Sequence, residues 1–194
     1  MIFNRKKKIL IWTPYASWST SIMGYFNALE QFTDGACLGS NTDWQTFVSN
    51  SPTSCLYNIL PNRHGLGYPD IETTKYKKIL ILRNPYDRLL SMWKKHISHE
   101  MWKNDTLDDY LSKVFMFHPY SYPACRTFKG HYDEHVCVEN IQTRFEQLGI
   151  ADFTKKPLQH LNKSKPSDYK LTEKQKMIIS HFHRSDFETG GYSI

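Results

Sequence analysis

The sequence predicts a three-layer α/β fold, a central parallel sheet flanked by helices, with residues 1–194 forming one domain. Three observations carry this expectation. Two short runs, KILIW from Lys8 to Trp12 and KILIL from Lys78 to Leu82, are apolar, β-branched and nearly identical, and each stops at a proline-bearing turn. Each run leads into apolar positions at helical spacing, and strands without polar alternation that feed helices belong to parallel sheets covered on both faces. A length of 194 residues suits one domain able to bury about 70% of its unfolded surface.

In order along the chain, Lys8 to Trp12 is a strand ended by Thr13-Pro14. From Ser19, the apolar residues Ile22, Phe26 and Leu29, with Met23 beside them, predict a helix. Residues 33–53 are rich in Thr, Asn, Asp, Ser and Gly and read as loop, and Cys55 to Leu60 reads as a further strand. Lys78 to Leu82 is ended by Arg83-Asn84-Pro85, where Asn84 suits an N-cap, Pro85 the first helical position and Asp87 the first turn. That helix runs to about His99 with Tyr86, Leu90, Trp93 and Ile97 on one face. Thr106 to Phe117, Glu139 to Leu148 and Thr172 to about Phe187 predict three more helices, and residues 118–137 and 151–170 read as connections.

Composition narrows the function. Hydrophobic residues make up 40% and aromatic residues 14%, which excludes a disordered chain. No apolar run approaches the roughly 18 residues that cross a bilayer, and the basic patch Arg5 to Lys8 leads into an apolar stretch too short for a signal peptide. The net charge of +6 favours an anionic partner without choosing among nucleotide, polyanion and nucleic acid. Cys37, Cys55, Cys125 and Cys137 form no C-x-x-C pair and are expected to stay reduced. Cys125, His131, His135 and Cys137 could be drawn as a zinc site, but their spacing matches no standard pattern and no metal is expected. No repeat and no nucleic-acid-binding motif is present, so neither a solenoid nor a nucleic-acid partner is expected.

In open parallel sheets, ligands collect at the carboxyl ends of strands, where helix N-termini present free N–H groups to anions. Both strand-to-helix junctions carry suitable residues. The first, Thr13 to Ser21, is dense in hydroxyls but lacks the G-x-x-x-x-G-K-[ST] spacing of an ATP or GTP phosphate loop; an ordinary Ser/Thr cap remains an alternative. The second sets Arg83 at a strand end and Ser91 two helical turns in, on the face of Asn84, where guanidinium and hydroxyl can share one phosphate.

Arg83-x-Pro85-x-x-Arg88-x-x-Ser91 after KILIL resembles the 3'-phosphate-binding motif of sulfotransferases that use 3'-phosphoadenosine 5'-phosphosulfate (PAPS). Residues 12–22 sit where that family has its 5'-phosphosulfate loop, and Val138-Glu139-Asn140 resembles its strand and acidic turn before a helix. His160-Leu161-Asn162-Lys163-Ser164 is similar to the H-x-N-x-S segment of the carbohydrate branch, and Ser185-Asp186-Phe187 with Gly191-Tyr192 to its D-F-x-x-x-G-Y ending. The resemblance implies a P-loop-like sulfotransferase fold, PAPS as cofactor, and a hydroxyl acceptor, most simply a saccharide. It places Tyr15, Ala16, Ser17, Trp18, Ser19, Thr20 and Ser21 on the 5' end, Arg83 and Ser91 on the 3'-phosphate, and His160, Asn162, Lys163 and Ser164 near the cofactor.

The family's loop lysine is replaced by Tyr15, and Trp18 is bulky for a loop without glycine, so a catalytically impaired nucleotide- or polyanion-binding module is the alternative. The general base is assigned to His64, aided by Arg63. Arg63-His64-Gly65 follows the strand expected from Ser54 to Leu60, Gly65 and Gly67 allow close approach of the chain, and the segment resembles a histidine-glycine stretch of uronyl 2-O-sulfotransferases. His160, Asp70 and Glu72 are the competing bases. Without the signal anchor of Golgi-resident relatives, the protein is expected in the cytoplasm, with no membrane partner, and a bacterial or viral source is suggested.

Overall fold

A computed structural model describes residues 2–4, 8–14, 16–17, 21–22, 75–97, 102–117, 121–127, 132–151, 158 and 169–194. Among these residues four strands form one sheet in the order β1 (Ile2–Asn4), β2 (Ile9–Trp12), β3 (Lys77–Leu82), β4 (Glu134–Cys137). β2, β3 and β4 run parallel, with Trp12 opposite Leu80 and Leu82 opposite Cys137, so their carboxyl ends share one edge. The expected α/β architecture with a parallel sheet and helices is what the chain adopts.

The odd-numbered strand residues Ile9, Ile11, Ile79 and Ile81, with Val136, turn to one face and pack with Ile22, Ile141, Phe145 and Leu158. Leu10, Trp12, Leu80 and Leu82 are equally buried, and because successive side chains alternate faces, they line the other side. Burial on both faces is why these strands are uninterrupted apolar runs. A second core gathers Leu89 and Met92 of α1 (Pro85–His96), Leu107, Tyr110, Leu111, Val114 and Phe115 of α2 (Leu107–Phe117), Ile179 of α5 (Glu173–Phe182) and Phe187 of α6 (Arg184–Gly190).

Several expectations are corrected. Residues 118–137 are more than a connection, since they hold α3 (Ala124–Thr127) and β4. An antiparallel strand, β1, precedes the basic patch and pairs with β2, and Lys8 belongs to the turn before β2, with φ of 54°, rather than to the strand. Val138–Asn140 is one turn of 3-10 helix, and α4 proper is Ile141–Gln147. α1 ends at His96, and its buried face is Pro85, Arg88, Leu89, Met92 and His96; Tyr86, Leu90, Trp93 and Ile97 are only half-buried.

The final helix is two helices. Thr172 opens α5 with a capping box, its hydroxyl accepting from the Gln175 N–H while the Gln175 side chain accepts from the Thr172 N–H. At His183 the backbone leaves helical geometry (φ −104°, ψ 20°), and α6 starts at Arg184. The expected strand at 54–60 and loop at 33–53 lie outside the described residues, as does the first helix beyond Ser21 and Ile22.

Candidate functional site

The register of the sheet builds the site. β3 runs two residues past Leu80, the partner of Trp12, so continuing the pairing brings Pro14 level with Leu82 and the β2 loop level with Arg83. On the other side, continuing from Leu82 and Cys137 brings Asn84 level with Glu139. Both alignments are realised as hydrogen bonds. Arg83 Nη1 donates to the main-chain carbonyl of Ala16 at 2.9 Å, and the Asn84 N–H donates to Glu139 Oε1 at 3.2 Å.

The β2 loop turns tightly. The Ser17 N–H donates to Pro14 O at 3.1 Å, and Ala16 holds φ at 61°, a left-handed conformation that costs a residue with a Cβ about 1–2 kcal/mol. The Arg83 guanidinium on the Ala16 carbonyl helps hold that conformation in a loop without glycine. Because the Ser17 N–H is taken up by Pro14, it is not a donor facing outward from the loop. Thr13, Ser17 and Ser21 are all buried, and the Thr13 hydroxyl has no hydrogen-bond partner among the described residues, leaving it a buried polar group at the strand's carboxyl end.

Across the edge, Asn84 caps α1 as expected, its side chain accepting from the Tyr86 N–H at 2.9 Å. Burial draws the Arg83 guanidinium below its ordinary pKa, against the nearby Asp87, Glu139 and Tyr192, which raise it; a guanidinium nonetheless stays charged. Ala16 is its one hydrogen-bond partner among the described residues, so most of its five donors are uncommitted. Ser91 is half-buried two turns into α1, seven residues beyond Asn84, which sets both on one side of the helix.

Glu139 also accepts from Tyr192 Oη at 2.7 Å. Burial first, then contact with Cys137 and Glu139, pushes the Tyr192 phenol far up, so it acts as a donor. Arg88, in contrast, points into the interior. It pairs with Asp186 (Nη1 to Oδ2, 3.2 Å) and donates to Tyr122 O at 3.1 Å, with both members of the pair almost fully buried. Asp186 further accepts from the N–H groups of Ala124 and Cys125 at 2.8 Å each and faces His183 Nδ1 at 3.5 Å. Arg88 and Asp186 therefore join α1 to α6 and leave the anion site to Arg83.

Four separated segments meet at one sheet edge: the β2 loop, the β3–α1 junction, the turn at Glu139 and the chain around Tyr192. Of the expected site residues, the structure brings together Ala16 and Arg83, and it sets Ser17 in the same loop as Ala16, Ser21 in the helix that follows, and Ser91 on the helix after β3. Tyr15, Trp18, Ser19, Thr20, Arg63, His64, His160, Asn162, Lys163 and Ser164 lie outside the described residues. Sequence reasoning counted Thr13 among the hydroxyls of the first junction without singling it out, and gave no role of their own to Glu139 or Tyr192. The last two were quoted within motifs, but only the strand register shows that they touch the Arg83 junction. Cys125 and Cys137 are free thiols. Among the described residues no helix is long and apolar enough to cross a membrane.

A family model described as "Sulfotransferase family" matches residues 1–162. No curated protein and no solved structure matches the chain.

Proposed function

The chain belongs to the sulfotransferase family, and from that premise we propose that it moves a sulfuryl group from PAPS to a hydroxyl of a saccharide acceptor. The observation that carries this reading is the Arg83–Ala16 bond, which ties two anion-suited junctions into one site. The residues fit an anionic nucleotide: a charged guanidinium with uncommitted donors, a buried hydroxyl at Thr13 without a partner among the described residues, and the first turn of a capped helix. PAPS, when bound, supplies a sulfuryl group already activated on phosphate.

In this reading Arg83 and Ser91 hold the 3'-phosphate from two sides, and Thr13 with the hydroxyls of residues 17–21 holds the 5' end. His160, Asn162, Lys163 and Ser164 complete the cofactor side. His64 accepts the acceptor hydroxyl's proton, and Arg63 offsets charge where the loop lysine is absent. Such transfer relies on positioning and electrostatic stabilisation, which a fixed guanidinium and oriented hydroxyls supply without a metal.

Thermal-shift titrations with the product nucleotide PAP, ATP and AMP test the cofactor, and transfer of labelled sulfate to saccharide acceptors tests the reaction. A selective ligand at 100 times its dissociation constant stabilises by about 2.7 kcal/mol. PAP should stabilise more than either competitor; equal stabilisation by ATP refutes a dedicated 3'-phosphate site. Binding without transfer to any acceptor would select the impaired module, a reading favoured by Tyr15 where the family has lysine.

A further inference from the structure

We propose that Tyr192 and Glu139 form a clasp that positions Arg83 for the 3'-phosphate, making the chain beyond α6 a working part of the donor site. The proposal rests on the PAPS reading above.

Glu139 uses both carboxylate oxygens. Oε1 accepts from the main-chain N–H of Asn84, the residue directly after Arg83, and Oε2 accepts from the Tyr192 hydroxyl. The two bonds link the carboxyl end of β3 to a tyrosine 108 residues further on. Without the hydroxyl, an exposed glutamate would sample several rotamers, and its hold on the Asn84 N–H would weaken. Arg83 has no other hydrogen-bond partner among the described residues than Ala16, so the direction in which it leaves β3 depends on the peptide that Glu139 holds.

The local chain is built to deliver the hydroxyl. Gly191 takes φ of 66°, which turns the chain back at the end of α6, and the Tyr192 N–H donates to Phe187 O at 3.0 Å. A Cβ at Gly190 would collide with ring carbons Cε2 and Cδ2 of Tyr192, so glycine at 190 lets the ring lie flat over the helix end. Asp186, buried against Arg88, fixes α6 itself. All these residues except Arg88 lie beyond residue 162, outside the stretch that the family model matches. The clasp thus joins Glu139, inside the matched stretch, to a tyrosine beyond it.

The proposal makes Tyr192 and Glu139 positioning residues that act through Arg83. Calorimetric titration of the full chain with PAP and with AMP, which lacks the 3'-phosphate, provides the readout. Wild-type protein should prefer PAP. Tyr192→Phe keeps the ring over Gly190 and should weaken PAP about five- to tenfold, less than loss of a direct charged hydrogen bond, while leaving AMP unchanged. In an Arg83→Ala background the same substitution should have no further effect on PAP.

Equal PAP affinity in wild type and Tyr192→Phe, or equal losses for PAP and AMP, overturns the clasp while leaving the donor reading intact. No preference for PAP in the wild type overturns the donor reading itself, and with it the basis of the clasp. Should Tyr192→Phe fail to fold, Glu139→Ala, at an exposed position, removes both bonds and carries the same comparison.

Discussion

Arg83 Nη1 and the carbonyl oxygen of Ala16 stand 2.9 Å apart across 67 residues of sequence. That one bond makes two strand-to-helix junctions a single site. It also holds Ala16 in a left-handed conformation without glycine's freedom. The guanidinium serves both as scaffold and as anion receptor, because one of its donors faces the loop and the others do not.

Removing it should therefore show in two measurements. Arg83→Ala is expected to weaken PAP by about 1.5–3 kcal/mol, the worth of a charge-assisted hydrogen bond, with Ser91→Ala costing less. Arg83→Lys should restore little, since an ammonium cannot reach the carbonyl and a phosphate in the same fork. Calorimetry on folded variants decides; wild-type PAP affinity in Arg83→Ala would remove Arg83 from the site.

The buried pair between α1 and α6 should behave differently from its members. Asp186→Ala strands the Arg88 charge and leaves the Ala124 and Cys125 N–H groups without their acceptor, a loss of about 3–5 kcal/mol in urea unfolding. Arg88→Met should cost less, because Asp186 keeps those two N–H donors. The reverse order would mean that the pair's charge, rather than the backbone it organises, dominates.

Acid should loosen the same junction. His183 is fully buried, and burial pushes its imidazole below the ordinary value, partly offset by its contact with Asp186. Burial raises the Asp186 carboxyl, but His183, Arg88 and the Cys125 N–H outweigh it and hold the group below the usual carboxylate range. Both groups bind protons more weakly folded than unfolded, so their stabilisation is complete above the unfolded histidine value of about 6.5 and is lost as pH falls. His183→Gln should flatten the stability profile below about pH 6.5, as read from chemical unfolding at each pH; an unchanged slope would assign the acid sensitivity to other groups.

His64→Ala is expected to lower turnover by about 100-fold or more while PAP affinity stays near wild type. Steady-state kinetics alongside calorimetry separate the two quantities. Near-wild-type turnover would move the base to a carboxylate such as Asp70 or Glu72.

The two strands that carry the site could be read directly, since ILIW and KILIL are buried on both faces and leave no polar alternation to misread. β4 could not. Its sequence EHVC has one fully buried residue, Val136, and so short a strand, the last in the sheet among the described residues, looks like loop until its partner is known. The division of the last helix at His183 was hidden because Asp186 turns toward Arg88, a contact across 98 residues that no local pattern encodes. Arg83 could be singled out from a local motif, whereas Glu139 and Tyr192 acquire meaning only from register. Helical spacing likewise marked α1, but tertiary packing chose the face of Leu89 and Met92 over that of Leu90 and Trp93.

β2 stops two residues short of β3, a stagger of about 7 Å at the sheet's edge. The edge is a terrace, with the β2 loop filling the lower step and Arg83 reaching across from the upper one. Loop length thereby becomes a ruler. One residue more or fewer between Trp12 and Ser17 would shift the Ala16 carbonyl by about one strand increment, roughly 3.3 Å, more than a hydrogen bond spans. The loop can vary its side chains far more readily than its count, and grafting a longer phosphate loop here would require β2 to be shortened to match.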